Sequence, residues 1–383
     1  MSFPRLTFPR LWVALAILLP VLAALLASLS TVDLAYNVRA GQLMVDQGSI
    51  LHTDPFTFTA GGSPWLDQQW GAQVLLGLGY QLAGWSGLAI VRALLVAITF
   101  VLVLLACRRR GVGLRVAAWL TIGSFILAAV ALGLRPQLFG MVLFAATLAI
   151  LAGRARRPRA VWLIPILVIP WASLHGSFIF APVAVGVAWL EDELAGHSGA
   201  HRMLLVAIAA GLASLINPFG LGVWSYAIGL TTNPTIRRLI SEWQPTAPLS
   251  VGGLLLYGSM LVCALIVVRQ ARGRSWRRVL PTILWLAFLG LVAAVAQRGI
   301  AWWALAAPVA LAGLLGGVPT VEPEHARPER TSALNGAIVL ILILVGILLL
   351  PVWRGGTALE GPAGLLTDAP PGITAALIGK VGP

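Results

Sequence analysis

The sequence predicts an all-α polytopic membrane protein, and three observations carry that prediction. Hydrophobic residues make up 59% of the chain and charged residues only 10%, with a mean hydropathy of +0.91, outside the range of soluble globular domains. Apolar runs of about 15 to 20 residues, the length a helix needs to cross a bilayer, follow one another along most of the chain. The formal charge of +13 comes from arginines gathered in short loops between those runs. That is the pattern of cytoplasmic membrane loops and not of a nucleic-acid-binding surface.

Taken in order, Arg5 and Arg10 precede a first apolar run, 11–30, too long for the core of a cleavable signal peptide; it reads as an uncleaved signal-anchor helix. Thr31 to Trp70 is the first long polar interruption and holds Asp33, Asp46, Asp54 and Asp67. The turn pairs Asp54-Pro55, Gly61-Gly62 and Ser63-Pro64, with spaced aromatics, predict an ordered loop lying on the membrane surface. The short apolar segment 71–83 reads as an interfacial helix. Spans follow near 85–107, 116–134 and 137–153. The region 161–190 is long for one span and short for two, and Pro165, Pro170 and Pro182 are candidate breaks.

Charge decides between those readings. If 161–190 is a hairpin of two short helices, every arginine-rich loop falls on one side, including Arg108–Arg110, Arg154–Arg159 and Arg269–Arg278; a single span would turn the last cluster outward. Later spans lie near 203–217, 250–268, 279–296, 300–317 and 334–351. The segment 219–230 reads as a second interfacial helix, with Asn217 as N-cap and Pro218 at its first position. The total is about eleven transmembrane helices in a domain 1–351, with the N-terminus inside and a long first extracytoplasmic loop, 31–70. The stretch 318–333 reads as a solvated linker. The tail 352–383 lies outside and reads as the start of a truncated domain, too short to bury a core alone.

With that topology, polar breaks between apolar halves gather at the outer level. Arg135-Pro136-Gln137, His175-Gly176-Ser177 and Gln297-Arg298-Gly299 lie there, with Asn217–Gly220 and Ser241-Glu242-Trp243. Arginine suits a phosphate because its planar donors meet two oxygens at once. His175-Gly176 is expected to open a helix whose free N–H groups attract an anion. The ordinary alternatives are interfacial anchoring for Arg135 and Arg298 and helix packing for His175. Arg237 and Arg238 read as outer-loop charges near lipid headgroups. Cys107 and Cys263 read as small buried hydrophobes. No nucleotide-binding glycine loop, zinc motif or Ser-His-Asp order stands out, and nothing requires a metal or another cofactor.

The run Asp33-Leu34-Ala35-Tyr36-Asn37-Val38-Arg39-Ala40-Gly41 is followed by DPFTFT, GGSPWLDQQW, RPQLF, WASLHGSF, NPFG, SEW and QRG. This ordered set, across roughly residues 30 to 310, resembles a broad family of bacterial polytopic membrane proteins. Those proteins have the GT-C-like architecture of glycosyltransferases that use polyprenyl-phosphate sugars. The resemblance implies a GT-C-like bundle in the bacterial inner membrane, a lipid-linked sugar as donor and membrane lipids around it. It also implies an acidic residue of the first outer loop in the chemistry. Asp33 is then the candidate base, with Asp54 as the alternative or as a second carboxylate that orients the acceptor. Arg298, Arg135 and His175 are candidates for the phosphate, with Gln297, Glu242 and Trp65 as further substrate-binding residues. The family pattern often has His where this chain has Asn37, and Glu where it has Gln69. Both departures remove a titrating group and favour a second reading, a non-catalytic protein on the same scaffold that binds a lipid-linked glycan or a protein partner. A third reading, a transporter, is disfavoured because no span centre carries a carboxylate or lysine for ion coupling.

Overall fold

A computed structural model describes residues 5–316, 330–357, 361, 362 and 364–367. Fourteen α-helices follow one another among these residues. They are α1 (Phe8–Leu26), α2 (Thr31–Gln47), α3 (Trp70–Arg109), α4 (Leu114–Ala128), α5 (Pro136–Ala152), α6 (Leu163–Leu174) and α7 (Phe180–Leu194), then α8 (Ala200–Ala213), α9 (Gly222–Thr232), α10 (Pro234–Leu239), α11 (Val251–Ala271), α12 (Trp276–Val295), α13 (Ile300–Leu315) and α14 (Ala333–Leu348). Six helical stretches are long and apolar enough to cross a membrane, and four more apolar stretches are shorter, at 10–17 residues. The chain is a multi-pass membrane protein.

The polar stretch 31–70, expected as a loop throughout, is helical over its first half. Leu34, Val38, Gly41 and Met44 recur at helical spacing, and this stripe is buried against the start of α3. The approach is close because both sides carry glycine. A Cβ on Gly41 would collide with the Gln73 carbonyl, and one on Gly77 would come within 2.8 Å of Gln42 N. The sequence reading missed α2 because its exposed face is polar and its helical period is short.

Helix α3 is two helices joined at a kink. Ala83 and Gly84 leave helical geometry, and Gly84 has φ +57°, which glycine adopts at no steric cost. The kink falls where the interfacial segment 71–83 was expected to meet the following span. The region 161–190 likewise forms two helices, α6 and α7, divided at the expected polar break His175-Gly176-Ser177, while the prolines do not break it. Pro165 and Pro182 sit in or beside first turns, where a missing N–H costs little, and α6 continues through Pro170. Asn217 also departs from expectation. Its Oδ1 accepts from Phe219 N at 2.8 Å within a turn, and α9 begins only at Gly222.

The core is centred on α13, whose residues from Ile300 to Ala312 are nearly all buried. Phe144, Phe180 and Trp285 pack with Trp302 there in an aromatic cluster. Arg92, a charge the sequence reading passed over, is 2% exposed in α3. It donates to the Ser28 carbonyl at 2.8 Å and to the carbonyls of Ala24 and Ala27. A cation on the orphan carbonyls at a helix C-terminus is favourable, so Arg92 closes α1. The described part of the tail is packed onto that same end. Leu29–Ser30 pairs in parallel with Leu366–Thr367, Leu365 is fully buried, and Arg354 Nη2 donates to Leu25 O at 3.2 Å. Most of the expected linker 318–333 and the end of the tail lie outside the described residues.

Candidate functional site

Arg135 is the extended residue before α5, with Pro136 at the first helical position. That geometry carries its side chain off the helix end and toward α2. Its Nη2 lies 3.0 Å from Asp33 Oδ2, and its Nη1 donates to Glu242 Oε1. Glu242 also faces Arg298, with Oε2 3.2 Å from Nε. The Arg298 guanidinium stands over the Trp243 ring, 5.3 Å from its centroid, a favourable place for a cation. Two backbone bonds hold the Ser241–Trp243 turn against the break between α12 and α13: Gln297 N donates to Gln244 O at 3.1 Å and Thr246 N to Ala294 O at 3.0 Å. Three chain breaks far apart in sequence therefore meet, in the order Asp33, Arg135, Glu242, Arg298. The four side chains are 25 to 41% exposed, so each pair contributes little to folding, on the order of 1 kcal/mol or less.

At the Arg298 end of this chain of charges lies a cavity of about 360 Å³, which Asp33, Arg135 and Glu242 do not line. Arg298, Arg237, Trp243, His175, Gln137 and Gln68 give it polar edges, and Ile179, Phe180, Leu230, Leu291, Val295 and Trp302 give it an apolar wall. Arg298 makes no hydrogen bond through its terminal nitrogens among the described residues, and its Nε contact with Glu242 is an ion pair without hydrogen-bond geometry. Arg237 has no side-chain partner among the described residues and lines the same space. The sequence reading placed Arg237 only as an outer-loop charge near lipid headgroups and did not associate it with this cavity.

His175 is fixed from one side. Its Nδ1 accepts from Ser177 N at 3.1 Å and lies 2.8 Å from Ser177 Oγ. That oxygen accepts from Trp171 Nε1 at 3.0 Å, which leaves its own proton for His175. With Nδ1 accepting, the neutral ring carries its hydrogen on Nε2. The ring lies on Trp302, with centroids 5.9 Å apart and planes inclined by 35°. Gly140 makes room for this arrangement: a Cβ there would stand 2.6 Å from Ser177 Oγ. The expected free N–H groups at His175-Gly176 are thus partly taken, because His175 caps its own turn. What it offers the cavity is a ring N–H donor.

Two candidates go elsewhere. Asp54 accepts from Phe56 N at 2.8 Å and Thr57 N at 3.1 Å, and from the Thr57 hydroxyl. These bonds, the hydroxyl first, hold its carboxyl below the usual range, which describes a turn-forming carboxylate. Trp65 packs on the small core of Ala40, Met44 and Leu51 and meets Phe56 edge-on at 6.2 Å, pinning the loop to α2. Gln297 contributes its backbone N–H to the frame, and its side chain does not line the cavity. The sequence reading missed Asp67, which is 3% exposed. Its Oδ1 accepts from Gln73 Nε2 at 3.1 Å, its Oδ2 has no partner among the described residues, and burial pushes its carboxyl up to about 7. The available signal was an acidic residue set directly before an apolar helix. Among the described residues, no three His, Cys, Asp or Glu side chains are placed to hold a metal ion.

No protein-family model matches the chain, and no curated protein matches it. Among solved structures it is similar to the oligosaccharyltransferase of Archaeoglobus fulgidus. In the form tethered by a disulfide to an acceptor peptide containing the NVT sequon, the TM-score is 0.54 at 14% identity, covering 88% of this chain and 54% of that one. In the apo form the TM-score is 0.51 at 14% identity, covering 89% and 54%. The chain spans about half the length of the structures it matches. The likeness is one of fold alone, that of a GT-C-like membrane protein.

Proposed function

We propose that the chain is a membrane glycosyltransferase that moves a sugar from a polyprenyl-phosphate donor to an acceptor on the extracytoplasmic side. The observation that carries this reading is the line Asp33–Arg135–Glu242–Arg298, which ends at Arg298 on an apolar cavity, in a fold shared with an oligosaccharyltransferase. An acceptor hydroxyl attacks the anomeric carbon, and the bond from that carbon to the phosphate oxygen breaks. The phosphate leaves with the electron pair and is held by Arg298, Arg237 and the His175 Nε2–H. Asp33 takes the proton of the attacking hydroxyl, and Arg135 holds that carboxylate in place. The apolar wall suits the first isoprene units of the lipid.

The topology that goes with this reading has about eleven spans, with the N-terminus inside and the arginine-rich loops in the cytoplasm of a bacterial inner membrane. Residues 1–351 are then the transmembrane domain and 352–383 an outer tail. A second reading has its own support: Asp33 is already neutralised by Arg135 at 3.0 Å, as a structural counter-ion would be. On that reading the protein binds a lipid-linked glycan without turning it over. Incubation of the purified protein with polyprenyl-phosphate sugars and envelope acceptors decides between them. Release of polyprenyl phosphate that depends on Asp33 supports transfer, whereas saturable binding without release supports the second reading.

A further inference from the structure

A second cavity, of about 470 Å³, lies where the ends of α3, α5 and α7 meet the start of α8. It shares no lining residue with the cavity beside Arg298. Four arginines line it, Arg109, Arg110, Arg154 and Arg202, against two carboxylates, Glu191 and Asp192.

The carboxylates are already engaged. Arg154 is 10% exposed at its side chain, and its Nη2 lies 2.7 Å from Asp192 and 3.0 Å from Glu191. Arg110 meets Glu191 at 2.7 Å. These pairs leave Arg109 and Arg202 without counter-ions, an excess of two positive charges facing one space. Arg109 has a structural duty, since its Nη1 donates to Ala149 O at 2.7 Å near the end of α5. Arg202 has none. It stands in the first turn of α8, where the helix dipole disfavours a cation, and its side chain has no partner among the described residues. Ion pairs with Glu191 and Asp192 and the bond to Ala149 O therefore explain the other arginines and leave this one unexplained. Ala152, Ala155, Pro158, Val161 and Met203 floor the cavity with apolar surface.

We infer that this cavity binds the phosphate headgroup of an anionic membrane phospholipid through Arg202 and Arg109, with an acyl chain against the apolar floor. Basic pockets at the ends of membrane helices are suited to such headgroups, and one arginine beside an anionic lipid is worth about a five-fold change in affinity. The phosphate chemistry is shared with a free anion, but only a lipid uses the apolar floor.

The test is binding to the purified full chain, read by native mass spectrometry and by thermal stability. Phosphatidylglycerol, phosphatidylcholine and inorganic phosphate are added separately. Phosphatidylglycerol is expected to bind and raise the melting temperature, and phosphatidylcholine to do neither. Arg202→Gln should weaken phosphatidylglycerol binding about five-fold and Arg202→Glu more. Arg154 is left intact because its removal would take an ion pair from both carboxylates, and the melting temperature in phosphatidylcholine verifies that each variant folds. Equal binding of the two lipids, unchanged binding in both variants, or inorganic phosphate matching phosphatidylglycerol would each overturn the assignment.

Discussion

Arg135 Nη2 and Asp33 Oδ2 stand 3.0 Å apart, which ties the residue before α5 to the first turn of α2. The contact gives Asp33 a fixed direction, which a loop carboxylate would lack. Asp33 also stands at a helix N-terminus, where a negative charge is favoured. Both features suit the role of base proposed for Asp33.

Asp33→Asn is expected to abolish transfer while shifting the melting temperature by no more than a few degrees, because a half-exposed ion pair contributes about 1 kcal/mol or less. Asp46→Asn, on the exposed side of α2, should be near neutral in both assays. Transfer rates and thermal melts on the two variants check this, and equal mild losses would remove Asp33 from its role.

Glu242 sits between two arginines and competes with any anion that approaches them. Glu242→Gln should therefore strengthen polyprenyl-phosphate binding a few-fold, and more so at low salt, where exposed charges are least screened. Weaker binding in this variant would mean that Glu242 is needed to hold Arg298 in position.

The two arginines of the first cavity separate by geometry. Arg298→Ala should weaken polyprenyl-phosphate binding by about ten-fold or more, the scale of a charge-assisted hydrogen bond. Arg298→Lys should fall between that and wild type, because a point charge replaces a fork. Arg237→Ala should cost about two- to five-fold, since the exposed Arg237 is well solvated. Equilibrium binding to labelled polyprenyl phosphate measures all three.

Asp67 supplies a pH signature. Its folded carboxyl titrates near 7, whereas an unfolded aspartate titrates near 3.9. Between those values the folded chain binds the extra proton, so this group's contribution to stability is full below about pH 4 and is lost as pH rises through about 7. Asp67→Asn should therefore melt higher than wild type at pH 8, by up to about 4 kcal/mol in stability, with the gap closing toward pH 4. A gap that is constant with pH would mean Asp67 is ionised throughout.

The fold class was legible because apolar length and arginine placement report directly on a bilayer. The meeting of Arg135, Glu242 and Arg298 had a sequence signal of its own: each lies in a polar break between apolar runs. Local roles were harder to read. Asp33 and Asp54 are the same residue type in the same polar stretch, yet one faces an arginine from a distant helix and the other closes its own turn. Only tertiary contact separates them. Arg237 looked like an ordinary outer-loop charge because a cavity is not a property of any one segment. Helix α2 was missed because a half-buried helix with a polar outer face imitates an ordered loop.

The most direct test of the central claim is a cryo-electron microscopy structure of the protein with polyprenyl phosphate bound. The account predicts phosphate density within roughly 4 Å of the Arg298 guanidinium, with Arg237 and the His175 ring on the same side and the lipid chain against Leu291 and Val295. Phosphate density bound elsewhere, with Arg298 still turned to Glu242 and the cavity unfilled, would contradict it.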